Sequence, residues 1–264
     1  MLIIGERINT SRKSIRRAVD DKDIDFIKRQ AQAQVQAGAG MLDINCGTSM
    51  DKELDDILWL VDIVQNTVDV PLCIDSPNPK ALETALKICK KRPLVNSITL
   101  ENDRFDAVLP LIKRYNTQIV ALTLDRTGMP SDTAERVSLA QRLLGALSKE
   151  GVKPEDIYFD PLVRPIASEP NQALEFLKAI GEIKKLGNVK IIGGLSNVSF
   201  GLPERHLINA FFLSMAIAQG LDAALIDPLD PKTMASVFAS SAIAGCDNYC
   251  ANYIKAFRAN RLKF

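Results

Sequence analysis

A chain of 264 residues is long enough for one closed α/β barrel, which takes about 250 residues, and its 47% hydrophobic content supplies a core that needs neither a disulfide nor a metal staple. With 33 basic and 32 acidic residues interspersed for a formal charge of +1, the chain lacks the clustered basic field that a nucleic acid or an anionic membrane requires. Five cysteines without Cys-x-x-Cys spacing predict reduced thiols in a cytoplasmic protein, and Glu6, Arg7, Gln219 and Asp222 interrupt the stretches that a signal peptide or a membrane span would keep apolar.

Taken in order, Leu2 to Ile8 reads as a strand opening into a polar loop at Asn9 to Ser11. A helical pattern follows from Ile24 to Ala37, where Gly38 and Gly40 stop it. Met41 to Asn45 is the second strand, its alternation placing Asp43 and Asn45 on one side, and Gly47 closes it. Asp51 is positioned to cap a helix running to Asn66, with Ile57, Leu60, Val61 and Val64 at helical spacing. The third strand ends at Asp75, and Ser76-Pro77-Asn78-Pro79 turns into a helix expected to end near Lys90.

Leu94 to Ile98 is the fourth strand, and a helix from Asp103 to Arg114 leads to the fifth, Gln118 to Leu124, ending at Asp125. Gly128-Met129-Pro130 is a loop, after which Ser131 or Asp132 caps a helix to Lys149. The sixth strand ends at Asp160, the seventh at Asn197, and the eighth, Ala223 to Ile226, at Asp227. Helices over Pro170 to Leu186, Glu204 to Gln219, Pro231 to Ile243 and Asn248 to Ala259 complete the chain. The pairs Arg16-Arg17, Lys90-Lys91 and Lys184-Lys185 read as solvated helix faces.

Alternating strands and helices force parallel strands with right-handed crossovers, in an open sheet or a closed barrel. An open dinucleotide-binding sheet would show Gly-x-Gly-x-x-Gly after its first strand, where this chain has Gly5-Glu6-Arg7-Ile8-Asn9. The expectation is therefore a single-domain (β/α)8 TIM barrel over residues 1–264, with its site at the carboxyl ends of the strands.

Those ends carry a consistent chemistry. Lys190 to Asn197 is a buried strand running out into Ser196 and Asn197, and Glu6, Asp43, Asn45, Asp75, Asn96, Asp160 and Asp227 stand at the corresponding places elsewhere. Asp and Asn also start loops and cap helices through local backbone bonds, but nearly every strand ends in such a group and few end in Lys or Arg. A phosphate would want glycine-rich loops or cations. A rim of acids and amides instead suits a heterocycle with adjacent N–H donors, such as the pyrimidine edge of a pterin, whose ring N–H and exocyclic amine one carboxylate can accept together.

The ordered set Gly5-Glu6-Arg7-Ile8-Asn9, Leu42-Asp43-Ile44-Asn45-Cys46-Gly47, Asp75-Ser76, Asn96-Ser97, Asp160-Pro161-Leu162 and Gly194-Leu195-Ser196-Asn197-Val198-Ser199 resembles the pterin-binding barrel family. More narrowly, it is similar to the methyltetrahydrofolate:corrinoid protein methyltransferases and to the folate module of cobalamin-dependent methionine synthase. The resemblance covers essentially the whole chain. It implies a methyltransferase of one-carbon metabolism that moves a methyl group between N5 of tetrahydrofolate (as 5-methyltetrahydrofolate) and the cobalt of a corrinoid (cobalamin) carried by a partner protein, in a direction left open.

By that resemblance Asp75, Asn96 and Asp160 hold the pterin, Asn197 reaches N5, and Arg205 lies near the folate, while Glu6, Asp43 and Asn45 belong to the same binding rim. Asn197, Asp160 and Asp75 are the expected catalytic set. The partner would be a corrinoid iron–sulfur protein or the corrinoid protein of a demethylase system, and the enzyme a homodimer. Thr10 and Phe200 depart from the family pattern, which has glycine and a polar glutamine there.

The chemistry agrees independently of the name. A methyl group leaves an amine nitrogen only when that nitrogen is protonated or strongly hydrogen-bonded, and an Asn amide can act as donor or acceptor. Neither Cys46 and Cys73, expected at strand ends, nor Cys246 and Cys250, one turn apart, has a third ligand for zinc, so no bound metal is expected. The only histidine, His206, reads as a helix-start or surface residue. Two other readings stand beside this one: a dihydropteroate synthase-like enzyme, which would want Lys and Arg at the rim, and a non-catalytic folate-binding subunit.

Overall fold

A computed structural model describes residues 1–47 and 52–263; the helix cap expected at Asp51 lies outside the described residues. Eight strands, Leu2–Asn9 (β1), Met41–Asn45 (β2), Leu72–Asp75 (β3), Leu94–Ile98 (β4), Gln118–Leu122 (β5), Ile157–Asp160 (β6), Lys190–Gly194 (β7) and Ala223–Ile226 (β8), pair in parallel and in chain order, and β8 closes on β1. The expected (β/α)8 barrel is the observed fold. Around it stand Lys13–Asp20 (α1), Ile24–Ala37 (α2), Glu53–Thr67 (α3), Pro79–Leu86 (α4), Asn102–Tyr115 (α5), Thr133–Lys149 (α6), Gln172–Lys184 (α7), Arg205–Ala218 (α8), Pro231–Ile243 (α9) and Ala251–Arg258 (α10).

Local sequence chemistry accounts for the helix limits. Asp23, Asn78, Asp132 and Asp230 each accept a backbone N–H of the first turn of α2, α4, α6 and α9, which satisfies donors that a helix start leaves unpaired. Gly38 ends α2 at φ 114°, a conformation that glycine adopts without steric cost.

The strand period of two stacks the barrel interior in layers. Ile4, Met41, Cys73, Leu94, Val120, Tyr158, Ile192 and Ala223, one from each strand, form a buried cluster separate from the larger core between strands and helices. Two residues further along each strand come Glu6, Asp43, Asp75, Asn96, Leu122, Asp160, Gly194 and Leu225. The first of these layers is apolar and sealed. The second faces the mouth, and all of it except Asp43 is half-buried.

Several boundaries differ from expectation. β7 stops at Gly194, and Leu195–Ser199 winds into a 3₁₀ helix, because the Ser196 carbonyl accepts from Arg205 Nη2 at 2.7 Å instead of from a strand. β5 ends at Leu122, where Thr123 turns its N–H and hydroxyl to the Asp160 carbonyl. β1 runs on to Asn9 through a register shift between Gly5 and Ile8. α4 ends at Leu86, and Gln65 Oε1 holds the Lys90 N–H outside it at 3.0 Å.

α1 had no counterpart in the sequence reading; only Ile15, Ala18 and Val19 of its residues are buried. Cys73 lies inside β3 and not at its end, and Cys246 and Cys250 are not on one helix. All five thiols are free.

Candidate functional site

At the carboxyl ends of β1 to β4 and β6, the barrel brings together most of the rim named from sequence. Strand register sets Asn45 beside Asp75 and Asp75 beside Asn96, and Asn45 Nδ2 donates to Asp75 Oδ2 at 2.8 Å. Asp160 closes the floor from β6, where its Oδ1 accepts the Leu162 N–H at 2.8 Å. The apolar Leu122 and Leu225 and the bare Gly194 leave Glu6, Asp43, Asp75 and Asn96 contiguous over β1 to β4, with Asp160 set apart on β6.

Burial governs the protonation of this floor, since a desolvated carboxyl resists ionisation. Asp160 is pushed up to about 7 by desolvation, against the opposing pull of the Leu162 N–H and the Arg136 cation. Asp43 is raised well above its ordinary range, first by desolvation and then by the neighbouring Asp75 charge. Desolvation raises Asp75 as well, opposed by the Asn45 amide and Arg104. Asp43 is only 2% exposed, and its Oδ1 has no hydrogen-bond partner among the described residues. A buried acceptor left unpaired is costly unless something fills it, and an N–H edge entering from the mouth would.

A second part of the site is a cavity of about 270 Å³ between the ends of β7, β8 and β1, lined by Glu6, Arg12, Ser196, Arg205, Asn209 and Asp227, among others. Arg12 lies 3.6 Å from Glu6 and 3.5 Å from Asp227, and Asp227 also accepts from Arg7 at 2.6 Å. Asp227 is thus committed to two arginines. Arg205 is held by Ser199 Oγ and the Ser196 carbonyl, Ser199 donates in turn to Asn209 Oδ1 at 2.7 Å, and the Arg205 guanidinium lies 6.0 Å from the Phe200 ring centre.

Asn197 is exposed in the 3₁₀ turn, with its amide nitrogen over Gly194; its neighbours Leu195 and Ser196 line the cavity. His206 is near the start of α8, as expected, and pairs with Asp230 at 3.0 Å. Thr10 is buried, and its N–H donates to the Asn45 carbonyl at 3.0 Å. Among the described residues no group of His, Cys, Asp and Glu could hold a metal ion, and no helix is long and apolar enough to cross a membrane. Sequence reading missed Arg12, Asn209, Arg104 and Arg136, which reach the site from loops and helices where nothing in the local pattern distinguishes them.

Glu6 carries a cost that can be measured. Desolvation, the largest influence, lifts it to about 7; Arg12 and Arg205 pull it down and Asp227 pushes it up. In the unfolded chain a Glu titrates near about 4.3, so the folded state prefers the protonated form. Stability from this group is complete below that value and is lost as pH rises through about 7. Glu6→Gln keeps the neutral shape at every pH. Its melting temperature should therefore exceed that of the parent by a margin that grows from pH 4.5 to pH 8, and a margin independent of pH would show that Glu6 is not desolvated.

Against known proteins, residues 5–227 match the family described as pterin binding enzyme. A methylcorrinoid:tetrahydrofolate methyltransferase of Eubacterium limosum is 37% identical over 265 aligned positions, covering 99% of this chain and 98% of the relative. Among solved structures, the dihydropteroate synthase of Yersinia pestis with a pterine-sulfa conjugate superposes with a TM-score of 0.72 at 16% identity, covering 92% of this chain and 94% of that one. That of Burkholderia cenocepacia complexed with 7,8-dihydropteroate gives 0.69 at 19%, covering 94% and 93%. At such identities the structural likeness speaks for the barrel alone.

Proposed function

This chain belongs to the pterin-binding enzyme family, and from that premise we propose that it is a methyltransferase moving a methyl group between the cobalt of a corrinoid protein and N5 of tetrahydrofolate. The observation that carries the reading is the floor: buried Asp43 with an unfilled acceptor, beside Asp75, Asn96 and Asp160, at the open end of a sealed barrel. The near-full-length relative from E. limosum supports the corrinoid half, and its name suggests methylcorrinoid to tetrahydrofolate as the working direction.

In this reading Asp75, Asn96 and Asp160 take the pterin's N–H edge, with Asp43 and Asn45 behind them. Ionisation of Asp160 becomes favourable once ligand donors replace the water it lost on burial. Asn197 stands at N5. In the forward step the N5 lone pair forms the bond to the methyl carbon, the cobalt–carbon bond breaks with both electrons remaining on cobalt, and N5 gives up the proton it carried as a secondary amine. An Asn amide can serve both ends of that change, accepting from N5–H before transfer and donating to the neutral amine after it. Glu6, raised to about 7 in the adjoining cavity and left free of the pterin edge in this pose, has the basicity to receive the proton.

The corrinoid is cargo of a partner protein that must dock over the mouth. Free thiols suit a cytoplasmic setting, and residues 1–264 act as one domain in one-carbon metabolism. We assign the homodimer contact to the outward stripe of α8, where Leu207, Phe211 and Met215 are 45%, 58% and 53% exposed and no ionisable residue occurs between His206 and Asp222. Met215→Glu should yield a monomer in light scattering; an unchanged mass would place the contact elsewhere.

The test of function is anaerobic mixing with methylcob(III)alamin and tetrahydrofolate, which should give cob(I)alamin and 5-methyltetrahydrofolate. Calorimetric folate binding without turnover would favour a non-catalytic folate-binding subunit. Condensation with p-aminobenzoate, the synthase reaction, should be absent: Arg12 and Arg205 are engaged by Glu6, Asp227 and the Ser196–Ser199 turn and offer no free anion clamp.

A further inference from the structure

Two arginines stand behind the floor, and among the described residues neither is paired with a carboxylate. Arg136, on α6, is wholly buried. Its Nε donates to the Pro161 carbonyl at 2.7 Å, Nη1 to the Asp132 carbonyl at 3.1 Å, and Nη2 to Gln172 Oε1 at 2.6 Å and the Leu162 carbonyl at 3.4 Å. Arg104, on α5, is half-buried and grips the Ser97, Pro77 and Ser76 carbonyls at 2.8, 2.7 and 3.0 Å. A guanidinium withdrawn from water with no carboxylate bonded to it is expensive, so a site that buries one wholly and one by half uses their charge.

The carbonyls they grip reveal the use. Pro161 and Leu162 follow Asp160, Ser76 and Pro77 follow Asp75, and Ser97 follows Asn96. Each planar fork pins the backbone immediately beyond a rim residue, a geometry that lysine, a point charge, cannot reproduce. We propose that Arg104 and Arg136 are a matched pair of positioning residues that fix Asp75 and Asp160 in place and in the anionic, acceptor form that the ligand's N–H edge needs. This rests on the folate reading of the floor.

The surrounding charges are consistent with it. Arg136 opposes the upward push of burial on Asp160 and Arg104 does so on Asp75, and both arginines are themselves lowered by desolvation. Around Arg136 lie Arg164, Asp132, Glu135 and Glu175. Around Asp75 lie Asp43, the Asn45 amide and Arg104, and Glu101 also acts on Arg104.

The test is tetrahydrofolate affinity by calorimetry from pH 5.5 to 8.5, with urea melts of each variant. Parent affinity should rise with pH as the carboxylates ionise. An opposite charge close by lowers a carboxylate by about 1–3 pH units; Arg136→Met should therefore move the midpoint upward by about one unit and weaken binding about tenfold at pH 6.5. Arg136→Lys, which keeps the charge and loses the fork, should weaken binding at all pH values with little shift of midpoint. Should Arg136→Met fail to fold, Arg104→Met makes the same comparison at Asp75. Folded Met variants with an unmoved midpoint overturn the proposal. Affinity indifferent to Asp160→Asn would instead remove the folate pose on which it stands.

Discussion

Replacing Asn197 by alanine is expected to slow methyl transfer by about a hundredfold or more while leaving the protein folded. The side chain is exposed in the short turn after β7 and closes no part of the core, so its loss should cost little stability. The expected size is that of one missing hydrogen bond aimed at charge developing in the transition state. The effect should fall on the rate of the chemical step in stopped flow, with tetrahydrofolate affinity changed far less. An unchanged rate would remove Asn197 from the mechanism and move attention to Ser196 and Arg205 beside it.

The second large effect belongs to Asp160. Alanine there should weaken tetrahydrofolate binding by roughly tenfold to a hundredfold, because a hydrogen bond to a charged group contributes about 1.5–3 kcal/mol; Asp75→Ala should behave alike. Parent affinity should climb as pH passes through about 7, where Asp160 ionises, and the Asp160→Ala profile should lose that rise. The unliganded protein should move the other way. Burial raises this carboxyl above its unfolded value, so its stabilising influence vanishes as pH climbs through about 7, and the alanine variant should lose less stability than its parent between pH 5 and pH 8. Calorimetry that finds folate affinity untouched would sink the pterin pose.

Much of this was legible without coordinates, for definite reasons. Short apolar runs alternating with helical patterns and punctuated by glycine and proline give eight strand–helix units, and the acids and amides at their ends follow from where each apolar run stops. The limits were missed where side chains override local pattern. Ser196 and Asn197 look like the tip of a strand until Arg205 takes the Ser196 carbonyl, and α1 is too short and too charged to announce itself.

The roles of Arg104 and Arg136 were also invisible. On paper each is one more basic residue of an amphipathic helix, and only the folded barrel shows that their forks turn inward. Asp227 illustrates the converse: it occupies a strand end like the others, yet Arg7 and Arg12 have claimed it.

The sealed layer from Ile4 to Ala223 makes the barrel a blind alley with a single doorway. On the proposed reading, folate would have to be seated before a corrinoid carrier arrived, since the carrier would cover the way in, and the methylated product would wait until it departed. Turnover would then be paced by the coming and going of a large visitor rather than by bond-making, and a surplus of that visitor should inhibit by shutting the door on an empty room.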